Sequence, residues 1–208
     1  MKFYAEYLFP RFMDWMMSGE TFQRLRVHVL KDLRGEVLEI GYGTALNLPH
    51  YPLGVSRLTM VDPARLLTSR VKQRMAQAGF PVVIEEQPAE ALPFPDRRFD
   101  FVVSTWTLCT IPDPPQALRE IRRVLKPGGL LVFLEHGRSD EARVAAWQDR
   151  LNPLQRVVAC GCNLNRPIGR LIETSGFNLI HCRRFLMPHV PRIFGEMYQG
   201  HAAPAGER

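Results

Sequence analysis

Two glycines one residue apart, Gly41 and Gly43, follow the apolar run Leu38-Glu39-Ile40 and precede Thr44-Ala45-Leu46-Asn47-Leu48-Pro49. Glycines at this spacing mark a backbone that a ligand approaches closely where a strand ends, although a tight strand-to-helix turn needs them too. Asp62 stands 21 residues beyond Gly41, at the end of the next apolar run. An acid in that place can accept hydrogen bonds from both hydroxyls of a ribose. The third glycine of a dinucleotide fingerprint is replaced by Ala45, and the proline-stopped stretch after it offers a pyrophosphate no long helix amino terminus. The combination suits a nucleoside that carries no phosphate, and S-adenosylmethionine is such a ligand.

These residues must be positioned by a frame, and the chain supplies one. Its 208 residues, 46% hydrophobic and 23% charged, suffice for one sizeable core. Short apolar runs at residues 36–41, 57–62, 81–86, 99–105 and 129–135 read as strands. Amphipathic stretches at 64–78, 114–125 and 141–151 read as helices, with Pro127-Gly128-Gly129 as a turn. The alternation predicts an α/β, Rossmann-like, doubly wound sheet of seven strands, mostly parallel, with ligands at the carboxyl ends of its strands. Two further strands at 177–184 and 192–198 predict an antiparallel hairpin at the sheet edge. Residues 1–34 form an aromatic-rich helical prefix that packs on the sheet, covers an apolar substrate as a lid, or touches a membrane surface. Residues 35–200 form the domain proper and 201–208 a frayed tail.

The net charge of +6 is spread among acids rather than massed in a basic stripe, so no nucleic-acid partner is expected. No run reaches the roughly 18 apolar residues of a spanning helix, and the first residues lack a signal-peptide pattern, so a cytoplasmic location is expected. The four cysteines, Cys109, Cys160, Cys162 and Cys182, are too few for a disulfide scaffold. The Cys160-x-Cys162 pair lacks the second ligand pair of a zinc site, so reduced thiols and no metal are expected.

Glu39-x-Gly41-x-Gly43, Val61-Asp62-Pro63, the stretch AEALPFPDRRFD at 89–100 and the stretch LREIRRVLKPGG at 118–129 resemble, in order, the motifs of class I S-adenosylmethionine-dependent methyltransferases. The resemblance covers about residues 36–136. It implies that Glu39, Gly41 and Gly43 line the methionine end of the cofactor, that Asp62, with Pro63 beside it, holds the ribose, and that Ala89 and Glu90 lie beside adenine. It also implies that Ser104 to Trp106 lead into the active site. Relatives often carry an aspartate just before the alanine of the third motif, where this chain has Pro88. Adenine recognition is therefore expected from backbone groups and Glu90. Tyr42 and Trp106 are expected to face the sulfonium or an apolar acceptor, as aromatic faces favour a cation.

The second half, with Thr107-Leu108-Cys109-Thr110-Ile111, Phe133-Leu134-Glu135-His136 and Gly161-Cys162-Asn163-Leu164-Asn165-Arg166, resembles the methyltransferase-like alkyl thiol methyltransferases, in a soluble bacterial-type form. The resemblance implies a small-molecule acceptor, a lipophilic thiol or sulfide; quinone and phospholipid methyltransferases share only the core motifs. An unperturbed thiol is only a few per cent ionised at neutral pH. A nearby base or cation would help. His136, after the fifth strand, is the expected base, Arg166 the expected thiolate-stabilising cation, and His50 a weaker candidate. Each has a structural alternative: a strand-end hydrogen bond, a surface ion pair and a helix cap. The oligomeric state is not readable.

Overall fold

A computed structural model describes residue 4 and residues 8–64 and 68–206 of the chain. Helices α1 (Phe9–Met17) and α2 (Glu20–Leu30) precede strand β1 (Gly35–Ile40). There follow β2 (Val55–Val61), α3 (Ser69–Ala76), β3 (Val82–Glu85), β4 (Phe99–Thr105), α4 (Pro114–Val124), β5 (Leu125–His136) and α5 (Ala142–Val158). The chain closes with α6 (Ile168–Thr174), β6 (Phe177–Leu186), α7 (Arg192–Gly195) and β7 (Glu196–Pro204). The seven strands lie in the order β3-β2-β1-β4-β5-β7-β6. The pairs among β1 to β5 are parallel, and β7 runs antiparallel to both β5 and β6.

Alternation along the central strands splits the core into two layers. Leu38, Ile40 and Val102 face one side with Ala117, Leu118, Ile121 and Val124 of α4 and Ile168 and Ile172 of α6. Val37, Val103 and Val132 face the other with Val29 and Leu30 of α2 and Val71 of α3. Successive strand residues point to opposite faces, so β4 places Val102 and Val103 in different layers. Each of the buried valine, leucine and isoleucine side chains among these contributes about 1.5–3 kcal/mol over leaving it in water.

Five details differ from the sequence expectations. The last strand starts at Glu196 rather than at residue 192, since Arg192–Gly195 make a helical turn first. Of the expected tail, His201 to Pro204 complete β7, where His201 pairs with Val132 on one side and His181 on the other. Pro127-Gly128-Gly129 are not a turn between elements but an irregularity inside β5: β4 advances from Phe99 to Phe101 while β5 advances from Leu125 to Leu130. Helix α5 runs past residue 151 and through Pro153. The stretch 64–78 becomes helical only from Ser69, where Thr68 caps the Val71 amide; residues 65–67 lie outside the described residues. No described helix is long and apolar enough to cross a membrane.

Candidate active site

The carboxyl ends of β1, β2 and β4 open into a cavity of about 360 Å³. Its lining includes Glu39, Gly41, Tyr42, Gly43, Asp62, Pro63, Ala89, Glu90 and Trp106, so nine residues read from the sequence meet in one place. The two glycines differ in what they do. Both have left-handed φ, +67° and +53°. A Cβ on Gly41 would stand 2.3 Å from Thr107 Cγ2, so protein packing demands that glycine. A Cβ on Gly43 would meet no protein atom within 4 Å and would enter open space. Gly43 is the position where a ligand can come close to backbone. Ala45, standing for the third glycine, also takes a left-handed φ of 60°. After it the chain makes only a 3₁₀ turn at Leu48–His50, as the proline suggested.

Asp62 is held by its own turn: Oδ2 accepts from the Gly43 amide at 3.2 Å and Oδ1 from the Ala64 amide at 2.9 Å. Each carboxylate oxygen keeps a further lone pair for a ligand hydroxyl. Burial raises its pKa, and the two amides pull the other way. Glu90 accepts from the Asp113 amide at 3.2 Å, which ties the third motif to the start of α4. Tyr42 is buried, and its hydroxyl has no hydrogen-bond partner among the described residues. Burial, reinforced by the Asp62 charge, pushes its pKa up to about 12.

Glu39 sits at the centre of a buried polar network. Its Oε1 accepts from Asn47 Nδ2 at 2.8 Å and its Oε2 from the Tyr51 hydroxyl at 2.8 Å. Asn47 also donates to Thr105 Oγ1 at 2.9 Å and accepts from Arg26 Nε at 3.0 Å. Arg26 in turn donates to the Met17 carbonyl and lies 4.9 Å over the Trp106 ring. Burial pushes the Glu39 carboxyl up to about 7, against the bonds from Tyr51 and Asn47 and the Arg26 charge, and pushes Arg26 down to about 10. Trp106 packs against Phe22 with ring centroids 5.6 Å apart and holds φ at 51°, a sparsely populated conformation for a bulky residue. Trp106 therefore serves both readings, packing and cavity wall.

The prefix forms the roof. Phe9, Pro10, Met13 and Met17 of α1 line the cavity. Asp14 pins that helix: it accepts from Arg74 at 2.9 Å and from Arg70, both of α3, while Arg74 also donates to the Thr44 carbonyl. Burial opposes the Asp14 charge, but the bonds from Arg74, Thr44 and Arg70 win, and its carboxyl is held below the usual range. Sequence reading missed Asp14, Arg74, Arg26 and Asn47, because nothing local links partners 60 residues apart, as Asp14 and Arg74 are, or 21 apart, as Arg26 and Asn47 are.

Three expected site residues lie elsewhere. Ser104 is fully buried and donates to Glu135 Oε1 at 2.6 Å. Strand alternation turns it away from the cavity while Thr105 lines it, and Trp106, past the end of β4 with φ at 51°, turns back to the wall. His136 and Arg166 do not line the cavity either. His136 is buried beside Cys162, whose Sγ is 3.7 Å from Nε2 and 3.9 Å from Nδ1, and Cys162 lies 3.4 Å from Cys109 Sγ. One proton shared between two sulfurs leaves Cys162 held well below the ordinary thiol range and Cys109 above it. Burial works against the imidazolium, but the bond and charge of Cys162 outweigh it and raise the His136 pKa. Arg166 donates to the Leu108 carbonyl, and burial lowers its pKa. His50 pairs with Gln23 of α2, and its pKa is lowered by burial. Glu135, unmarked in the sequence, accepts from the Thr107 and Leu108 amides at 3.0 and 3.1 Å and so shapes the cavity wall.

This sheet order, with a glycine turn after β1 and an acid after β2, is that of the Rossmann-like methyltransferases. A solved structure of the same fold is the Burkholderia thailandensis 1,6-didemethyltoxoflavin-N1-methyltransferase with bound S-adenosylhomocysteine: TM-score 0.70, 17% identity, 98% of this chain and 86% of that one covered. Residues 38–133 match the methyltransferase domain family. Thiol S-methyltransferase TMT1B of rat and of human are 36% and 35% identical over 160 and 171 residues, 72% and 77% of this chain. The alignments cover 64% and 69% of those proteins, so the chain matches about two thirds of their length. Phosphatidylethanolamine N-methyltransferase of Cereibacter sphaeroides is 34% identical over 119 residues, 56% of this chain and 58% of its own. The chain belongs to the class I methyltransferases, enzymes that use S-adenosylmethionine as methyl donor.

Proposed function

We propose that the chain transfers the methyl group of S-adenosylmethionine to the sulfur of a small, lipophilic thiol or of sulfide. The observation that carries this reading is the cavity wall: among the described residues no histidine, lysine or cysteine lines it. The one lining group that titrates near neutrality, Glu39, is taken up in this reading by the cofactor's ammonium, so the acceptor supplies its own nucleophile. A thiol with pKa about 8.5 does so, being a few per cent thiolate at neutral pH, whereas a carbon acid or an ammonium does not. The protein's work is then alignment and exclusion of water, which the α1 roof of Phe9, Met13 and Met17 supports. The likeness to thiol S-methyltransferases points the same way.

In this reading the cofactor supplies an electrophilic methyl sulfonium and the chain supplies its cradle. Asp62, flanked by Pro63, accepts from the ribose hydroxyls. Glu39 provides the anionic end for the amino-acid ammonium, and Gly41 and Gly43 let that part approach. Ala89 and Glu90 border the adenine, and Tyr42 and Trp106 offer aromatic faces to the sulfonium. The open space at Gly43, the spare lone pairs of Asp62 and the unpartnered Tyr42 hydroxyl all fit a polar nucleoside there.

A second reading, methylation of a phospholipid headgroup or quinone by a chain that touches membrane, is favoured by the outward face of α1. Phe12 and Trp15 are exposed there, Trp15 by 74%, and the Cereibacter relative acts on phosphatidylethanolamine. One assay separates them: labelled S-adenosylmethionine with alkyl thiols, sulfide, quinols and phosphatidylethanolamine vesicles, products identified by mass. Label on thiols, with kcat/KM rising with pH toward each thiol's own pKa, is expected. Label only on lipid or quinol would overturn the thiol reading.

A further inference from the structure

We propose that Cys109, His136 and Cys162 form a binding site for one Zn²⁺ ion. The two sulfurs lie 3.4 Å apart and Cys162 Sγ lies 3.7 Å from His136 Nε2. All three ligand atoms fall within 4.8 Å of one another. Zinc with Zn–S of about 2.3 Å and Zn–N of about 2.0–2.1 Å puts two tetrahedral sulfurs about 3.8 Å apart and a sulfur and a nitrogen about 3.6 Å apart. The Cys109–Cys162 and Cys162–His136 spacings differ from these by about 0.4 Å or less, and the third, from Cys109 to the imidazole, is at most 4.8 Å, so side-chain rotation that brings the ring toward Cys109 closes the site.

The imidazole needs such a partner. Among the described residues the hydrogen-bond partner of the buried ring is Cys162 Sγ, near both nitrogens. Nearly equidistant from both nitrogens, that sulfur cannot lie along the lone pair of both. One weak sulfur contact serves both ring nitrogens, and a metal bond would give one of them a stronger partner. Two thiolates and a neutral imidazole around Zn²⁺ sum to zero charge, which suits a buried site. Sulfur and imidazole ligands without a carboxylate select a borderline-soft cation over Mg²⁺ or Ca²⁺.

The ligands arrive on three separate segments: the stretch after β4, the end of β5 and the turn between α5 and α6. The segments are already stitched, since the Asn163 amide and Nδ2 both donate to the Cys109 carbonyl at 2.9 and 3.0 Å. Thr110, next to Cys109, lines the methyl-transfer cavity, and its hydroxyl is 3.6 Å from Cys109 Sγ. A metal here clamps the cavity's wall, with the fourth position left to water.

The test uses the full chain, reduced and chelator-stripped, titrated with Zn²⁺ alone against a chromophoric chelator. One tightly bound equivalent is expected, and Co²⁺ in its place gives thiolate-to-cobalt charge-transfer absorption. Cys162→Ser lowers the affinity at least about 100-fold, while Cys160→Ser and Cys182→Ser leave it unchanged. Cys109→Ala is expected to act like Cys162→Ser. Because Cys109 is buried and its substitution can disturb folding, the Co²⁺ spectrum of the unsubstituted chain stands as a reading that needs no variant. Absence of a stoichiometric site, a Co²⁺ spectrum without the thiolate band, or equal affinity in Cys162→Ser would overturn the proposal. A Cys109–Cys162 disulfide that forms equally with and without excess Zn²⁺ would do the same.

Discussion

Replacing Glu39 with glutamine tests whether the buried acid at the cofactor's end of the cavity is held protonated until the cofactor arrives. The carboxyl sits at about 7 in the folded chain against an ordinary 4.5. At about 1.4 kcal/mol per pH unit this gap corresponds to about 3 kcal/mol. The sign follows from proton counts: between 4.5 and 7 the folded state binds more protons than the unfolded one, so stability falls as pH rises through that window. Above about pH 7 the whole difference has been lost. Glutamine keeps the oxygen that accepts from Asn47 and carries no titrating group, so its stability lacks this slope. Urea unfolding of both proteins at pH 5, 6, 7 and 8 reads the effect, and taking the difference between them cancels Asp14 and every other titrating group they share. Glu39→Gln is expected to gain about 3 kcal/mol relative to the parent between pH 4.5 and 8. Calorimetry gives a second reading. If the cofactor's ammonium binds Glu39, parent binding below pH 7 releases a proton and tightens as pH rises, and the variant shows neither. Parallel pH profiles for the two proteins would refute the assignment of a raised pKa to this carboxyl.

The two glycines should separate in experiment. Gly41→Ala, driven into Thr107, is expected to cost about 2–3 kcal/mol in denaturant unfolding. Gly43→Ala is expected to cost only about 1 kcal/mol of left-handed strain yet to weaken cofactor binding at least about tenfold by calorimetry. Asp14→Ala removes the anchor of the roof on Arg70 and Arg74. Amide exchange in α1 should accelerate, and KM for an apolar acceptor should rise while cofactor affinity stays within about twofold. Glu135→Ala strands the Ser104 hydroxyl and the Thr107 and Leu108 amides. A loss of about 3 kcal/mol in unfolding free energy is expected.

What could be read before folding was whatever depends on near neighbours. Leu38 to Gly43 and the acid at Asp62 carry their message in type and spacing, and the structure brings them to one cavity. Ser104 was misplaced although the signal existed: in a strand, Thr105 facing the ligand implies Ser104 facing away. His136 was misplaced for another reason. Its position at the end of β5 was legible, but Cys109 and Cys162, each 26 or 27 residues away in the chain, decide what surrounds it. The residues 201–204 looked like a tail because alanine and proline have little strand preference. The structure shows why small residues stand in that strand: a Cβ on Gly200 would lie 2.0 Å from the His181 carbonyl oxygen.

The same contrast orders the chemistry. The residues expected to hold the cofactor lie on strand ends and turns whose shape the local sequence fixes, and most of them meet in the one cavity. The thiolate-stabilising groups were sought in titratable residues, and those residues turn out to line a neighbouring cluster instead. Under the proposed thiol reading no histidine is needed in the cavity, and Glu39 stays with the cofactor's ammonium. The acceptor's own ionisation supplies the nucleophile, and a cavity roofed by α1 supplies alignment. The rate should then track the acceptor's thiolate fraction, so a series of alkyl thiols of falling pKa, each assayed at pH 7, should gain in kcat/KM until ionisation is complete and then level or fall as nucleophilicity drops. A rate independent of thiol pKa across that series would mean that the protein itself takes the proton, and would point to Glu39, the cavity carboxyl near pH 7.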